Sequence, residues 1–167
     1  MWITFAASLL ASVSGGHATN PVDHGRPVRL IAHALDVPPA VFRDAFSRVN
    51  PAGAGEEPGA EQVQANKAAL LETLAPYGVT NERLDEVSNH YRYVAGEGEL
   101  WPHRAAVVRA RVADGEVVGF TIVRRGSGYT TAPRITVAGH PDLEVRVKLA
   151  FSERFARNGR VAQVVVE

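Results

Sequence analysis

A chain that alternates apolar and polar residues, turns at Asp-Gly and alternates again has few options besides a β-hairpin, and residues 106–139 do this. Ala106, Val108, Ala110 and Val112 fall on one side of an extended chain, with Val107, Arg109 and Arg111 on the other. Asp114-Gly115 suits the positive φ angles of a tight hairpin. The return run Val117 to Val123 is read with Val118, Phe120 and Ile122 on one face. Gly126-Ser127-Gly128-Tyr129 then turns the chain and offers a large ring to bury. Pro133 has no N–H to give a ladder, which places it at the start or edge of a strand running from Arg134 to Ala138.

The order DG-x-V-x-x-x-x-I followed by GSGYT-x-x-P-x-I-x-V-x-G resembles the glycine-tyrosine β repeat of bacterial extracytoplasmic proteins and phage tail or surface proteins. The resemblance covers only the C-terminal third. It implies a β module that serves as scaffold or adhesive surface, and it implies no catalytic residue or cofactor. The usual form carries two glycines before Ser-Gly-Tyr, whereas this chain has Arg125-Gly126. Asn158 to Val166 aligns with Asp114 to Ile122 as a partial second copy, and Val145 to Phe151 alternates as the first strand does. One and a half units are too few for a solenoid, so a small closed sheet or sandwich is expected.

Upstream the period changes. Val28, Leu30, Ile31, Ala34 and Leu35 make a helical stripe. Asp36-Val37-Pro38-Pro39 breaks it, with Asp36 or Val37 expected to cap a second helix carrying Val41, Phe42, Ala45, Phe46 and Val49 inward. Residues 51–59 read as a loop. Glu61 to Tyr77 predicts a helix with Val63, Ala65, Leu70, Leu71 and Leu74 inward, stopped by Gly78. Thr80 or Asn81 caps a further helix, Glu82 to Tyr93, with Leu84, Val87 and Tyr91 inward. Trp101 is expected to pack where helices meet strands. The fold class predicted is α+β: an N-terminal bundle of about four short helices, then a small antiparallel sheet or sandwich of about five strands. The divisions are 1–18 as a signal peptide, 19–103 as the helical region and 104–167 as the β module.

The reading of residues 1–18 rests on the apolar run Ile3 to Val13, too short for the roughly 20 residues of a bilayer span, and on small residues at Gly16 and Ala18. No Lys or Arg precedes the run, and the alternative is a buried N-terminal helix. Export implies a periplasmic or secreted location, with no transmembrane segment in the mature chain. Residues 20–27 read as a linker.

Composition excludes several chemistries. There is no cysteine, hence no disulfide, thiolate zinc site or cysteine nucleophile. Net charge is zero, which removes the electrostatic case for nucleic acid. Residues 20–104 hold 8 Lys+Arg against 12 Asp+Glu, and residues 105–167 hold 10 against 6, so the two parts carry −4 and +4. A helix-turn-helix over residues 28–49 would offer DNA only Arg43 and Arg48.

The six histidines have no metal-ligand spacing. Ser127 lies between strands, not on the strand-to-helix turn of a nucleophile elbow. The densest run of hydrogen-bonding side chains is Asn89, His90, Tyr91, Arg92 and Tyr93. The candidate ligand site is therefore a groove formed by Asn89, His90, Tyr91 and Tyr93 with Arg124, Arg125 and Tyr129. The alternative use of the same helix is a metal or hydrolytic site built from Asp85, Glu86 and His90. The opposing reading is that the tyrosines and Trp101 glue the two parts together. The function these features favour is a binding, scaffold or surface module acting on a macromolecule or surface ligand, with no cofactor.

Overall fold

The computed structural model describes residues 6–52 and 56–167. Its strands are β1 (Ala7–Leu10), β2 (Ser12–Ser14), β3 (Val107–Ala113), β4 (Glu116–Arg124), β5 (Arg134–Thr136), β6 (Val145–Ala150) and β7 (Arg160–Val166). Its helices are α1 (Val28–Ala34), α2 (Pro39–Ser47), α3 (Ala60–Leu74) and α4 (Asn81–His90). The architecture is α+β, with two departures from expectation. The helices are preceded by two strands, and the seven strands form three small antiparallel sheets: β1-β3-β4, β2-β5 and β6-β7. The missing strands come from residues 7–14 of the apolar run, which are extended and not helical; the start of that run lies outside the described residues. Ala7 pairs with Val112, and Val13 pairs with Ile135. Gly16 O then accepts from Thr130 N and Thr131 N at 2.9 and 3.1 Å.

The β3–β4 hairpin follows from its local sequence. Asp114 and Gly115 take φ 51° and 82°, the left-handed pair that a two-residue hairpin needs. Ala106, Val108, Ala110 and Val112 are all buried, and Arg109 and Arg111 are exposed. The return strand differs from the simple alternation. The register slips between Arg111 and Val112, so Val112 faces Val117 while Arg111 faces Gly119. Val118 is the residue left over, and it points outward, 60% exposed. Phe120 and Ile122 pack inward as expected, and Val117 takes the inward place expected of Val118. A bulge moves the inward face by one residue, and an alternation count cannot see it.

The second hairpin, β6–β7, is not closed by the same turn. Its strands are joined through a 3-10 turn at Phe155–Arg157, and Asn158 has φ −82° where Asp114 has 51°. Asn158 is fully buried.

In the helical part α1 ends where Asp36 adopts φ 56°. Aspartate tolerates the left-handed region, so it ends α1 and does not cap α2. Pro38 is the residue before α2, and Pro39 occupies its first turn. The α3 prediction is half met. Leu74 is buried and Leu70 and Leu71 pack on the core, but Val63 is 48% exposed and Ala65 is also outside. Gly78, at φ 85°, ends the following 3-10 turn. Thr80 Oγ1 accepts from Arg83 N at 3.2 Å and caps α4, with Leu84 and Val87 buried beneath it.

Two apolar clusters result. One gathers Leu30, Phe42, Leu74, Val87 and Trp101, and the other Val108, Ala110, Tyr129, Ile135 and Val161. Opposite charge does not hold them together. Four of the five ion pairs among the described residues lie within residues 20–104, and the fifth joins Arg146 to Glu167. No described helix is long and apolar enough to cross a membrane.

Candidate functional site

The cluster around His90 is a joint between the layers. The His90 ring lies parallel to Phe155, centroids 3.8 Å apart, and edge-on to Tyr91. Burial lowers its pKa, with Arg83 adding to the effect and Glu86 opposing it. Tyr91 is buried, and its hydroxyl oxygen accepts from Asn158 Nδ2 at 2.9 Å. Burial pushes its pKa up to about 12, so it stays a neutral phenol and holds its proton near neutral pH. The Tyr93 hydroxyl donates to Gly25 O, and its ring meets Trp101 edge-on at 5.6 Å. Asn89 is exposed and makes no side-chain hydrogen bond among the described residues.

The arginines and Tyr129 are committed elsewhere. Arg124 Nε donates to Ala105 O, and Arg125 Nη1 donates to Val161 O and Ala162 O on β7. Tyr129 is buried, with its hydroxyl accepting from Ala106 N at 2.8 Å. Among the described residues no hydrogen bond, ion pair or ring contact joins Asn89, His90 or Tyr93 to Arg124 or Arg125. The proposed metal ligands diverge too. Asp85 accepts from Lys67 Nζ at 2.6 Å, and Glu86 accepts from Arg83 Nη1 at 2.6 Å. Among the described residues no three His, Cys, Asp or Glu side chains are grouped to hold a metal ion.

Asn158 is the centre of this joint. Its Nδ2 donates to Leu30 O at 2.7 Å as well as to Tyr91, and its Oδ1 accepts from Ser152 N at 3.2 Å. Its backbone O accepts from Gly128 N at 2.8 Å. One residue thereby ties α1, the end of α4 and the β6–β7 connection to the glycine-tyrosine turn. Trp101 adds a second tie, Nε1 donating to Gly128 O at 2.8 Å. His33 and Arg29 both lie against Phe151. His17 packs against Tyr129, His103 and Trp101 with Nε2 buried and unpartnered.

A concave surface lies elsewhere, where residues 18–29 meet α2. A groove of about 600 Å³ runs between Val22, Phe46, Val49 and Pro51. A smaller depression of about 310 Å³ adjoins it and reaches Thr130 and Thr131. The two share Asp23, Arg26, Val28 and Arg43. Asp23 is buried in the shared wall, and Arg43 grips it through Nε and Nη2 at 2.7 and 2.9 Å. That fork raises the Arg43 pKa, chiefly through the hydrogen bonds to Asp23. Arg26 lies over the Phe46 ring at 4.2 Å, and Arg29 Nη1 donates to Thr130 O.

Residues 20–27, read as a linker, thus carry a built element. Asn20 Oδ1 accepts from Val22 N and starts a 3-10 turn at Pro21–Asp23. Asn-Pro is a local signal for that turn, but nothing local marks Asp23 as buried, because its partner is 20 residues on. Both arginines of the supposed recognition helix are ion-paired, Arg43 with Asp23 and Arg48 with Asp44. Comparison with family models, curated proteins and solved structures gives no match.

Proposed function

We propose that this chain is a binding module whose ligand enters the groove between residues 18–29 and α2. The observation that carries the reading is the pair of adjoining depressions sharing Asp23, Arg26, Val28 and Arg43. Their combined size falls in the range of small-ligand sites. A bidentate ion pair on the buried Asp23 carboxylate fixes the wall between them, so the concavity is preformed. The side chains around His90 support the same reading from the other side. The Tyr91 and Tyr93 hydroxyls and the His90 ring are already engaged within the fold. A titration followed by amide resonances tests the proposal: saturable shifts confined to residues 18–29 and 43–51 are expected. Shifts centred on residues 89–93 would move the site back to the joint.

The exported, surface-module reading rests on the apolar run and the glycine-tyrosine resemblance. A specific observation bears on it. Cleavage after Ala18 would remove β1 and β2, leaving β3 paired with β4 alone and β5 with no partner strand. The intact mass of the protein recovered from cells separates the cases. Loss of residues 1–18 supports export of a shorter sheet, and retention supports the N-terminal strands as part of the working fold.

A further inference from the structure

We infer that the groove takes a small organic oxyanion, a carboxylate or phosphate monoester carrying an aromatic or aliphatic portion. This rests on the groove being a ligand site, and it follows from counting what the walls can still bind. Three guanidinium groups line the smaller depression, from Arg26, Arg29 and Arg43, and Asp23 is its one acidic residue. Both Asp23 oxygens are already taken by Arg43. The larger groove adds no further carboxylate. Three positive groups against one negative leave a formal +2 at the wall.

Donors remain in excess as well as charge. A guanidinium carries five N–H donors and no acceptor. Arg43 spends Nε and Nη2 on Asp23, which leaves Nη1. Arg29 spends Nη1 on Thr130 O, which leaves Nε and Nη2. The Arg26 side chain makes no hydrogen bond or ion pair among the described residues, and its guanidinium is held by stacking on Phe46. An arginine parked on a ring keeps its in-plane donors open, and those donors match a carboxylate or phosphate in a two-pronged bond. A neutral ligand would leave these donors facing too few acceptors, and a cation would be repelled.

The apolar part of the ligand is assigned by the other end. Val22 stands 65% exposed at the groove, opposite Val49 and Pro51. Covering such a side chain is favourable, at roughly 25 cal/mol per Å² of apolar surface. The head group therefore lies by Arg26 and Arg43, and the ring or short chain lies along Val22, Val49 and Pro51.

The test uses the full chain, isotopically labelled, with four probes sharing a phenyl group: phenyl phosphate, phenylacetate, benzyl alcohol and 2-phenylethylamine. Saturable shifts at residues 19–29 and 43–49 are expected with the two anions, and the tighter anion identifies the head group. Arg26→Gln is expected to weaken that anion about tenfold, and Arg26→Lys, which keeps the charge but loses the fork, less than that. The Arg26 side chain anchors nothing in the fold by hydrogen bonds, and an unchanged melting temperature checks that both variants are intact. Benzyl alcohol binding as tightly as the anions, or Arg26→Gln leaving the affinity unchanged, overturns the oxyanion inference and leaves the groove as a site. No saturable shift with any probe overturns both.

Discussion

Replacing Asn158 with alanine tests whether the His90 region is a joint. The side chain is fully buried and makes three hydrogen bonds, to Leu30 O, Tyr91 Oη and Ser152 N. Leu30 is itself completely buried, so water cannot replace the lost donor at its carbonyl. A stranded buried carbonyl or amide costs about 1–3 kcal/mol, and the exchange of the remaining bonds about 1 kcal/mol each. Asn158→Ala should therefore destabilise the chain by about 3 kcal/mol. For a chain of this length that lowers the melting temperature by about 6–12 °C. Tyr91→Phe removes a single acceptor and should cost about 1 kcal/mol, or about 2–4 °C. The two changes share one bond, so the double variant should lose less than their sum. Circular dichroism melts and urea titrations read all three variants. An Asn158→Ala protein melting with the parent, or strictly additive losses, would refute the joint.

Three further expectations follow from the same geometry. His17, His33 and His90 all have pKa values lowered from 6.5, with burial the largest cause in each; His103 adds to the lowering at His17 and Arg29 at His33. The unfolded chain therefore binds protons first, so stability should hold above about pH 6.5 and fall as the pH drops below it. A melting temperature that rises on acidification would contradict this. Gly159 has φ 64°, and a Cβ there would meet the Tyr129 backbone and Leu30, so Gly159→Ala should cost at least about 2 kcal/mol in urea unfolding. Chelator should leave the melting temperature unchanged, and zinc should leave the His90 ring resonances in place, because Asp85 and Glu86 are bound by Lys67 and Arg83. A stoichiometric ion found by elemental analysis would reverse that conclusion.

Local signals in the sequence were readable, and long-range pairings were not. The β3–β4 hairpin could be read because alternation and Asp114-Gly115 are contained in a dozen residues. Its bulge could not, since it appears only once Arg111 is set opposite Gly119 and Val118 is left without a partner. Thr80 capped α4 as its type suggests. The outer half of α3 leaves its apolar residues Val63 and Ala65 exposed. The candidate site shows the same division. Tyr91 was picked out by its neighbours in sequence, but its partner Asn158 is 67 residues away and looked like an ordinary turn residue. Arg43 was visible as a helical arginine, and Asp23 looked like part of a linker. Only the fold reveals that they are one unit.

The pairing of Ala7 with Val112 also sets a timetable for synthesis. About a hundred residues separate the first strand from its partner, and a ribosome adds roughly 5–20 residues per second. The apolar segment at the start of β1 thus spends on the order of 5–20 s outside the exit tunnel before any sheet edge exists to receive it. During that interval the helical layer between them can collapse on its own local contacts, while β1 waits with its backbone N–H and C=O groups unpaired. All four β1 residues stay exposed after pairing, so docking β1 on β3 gains backbone hydrogen bonds more than apolar burial.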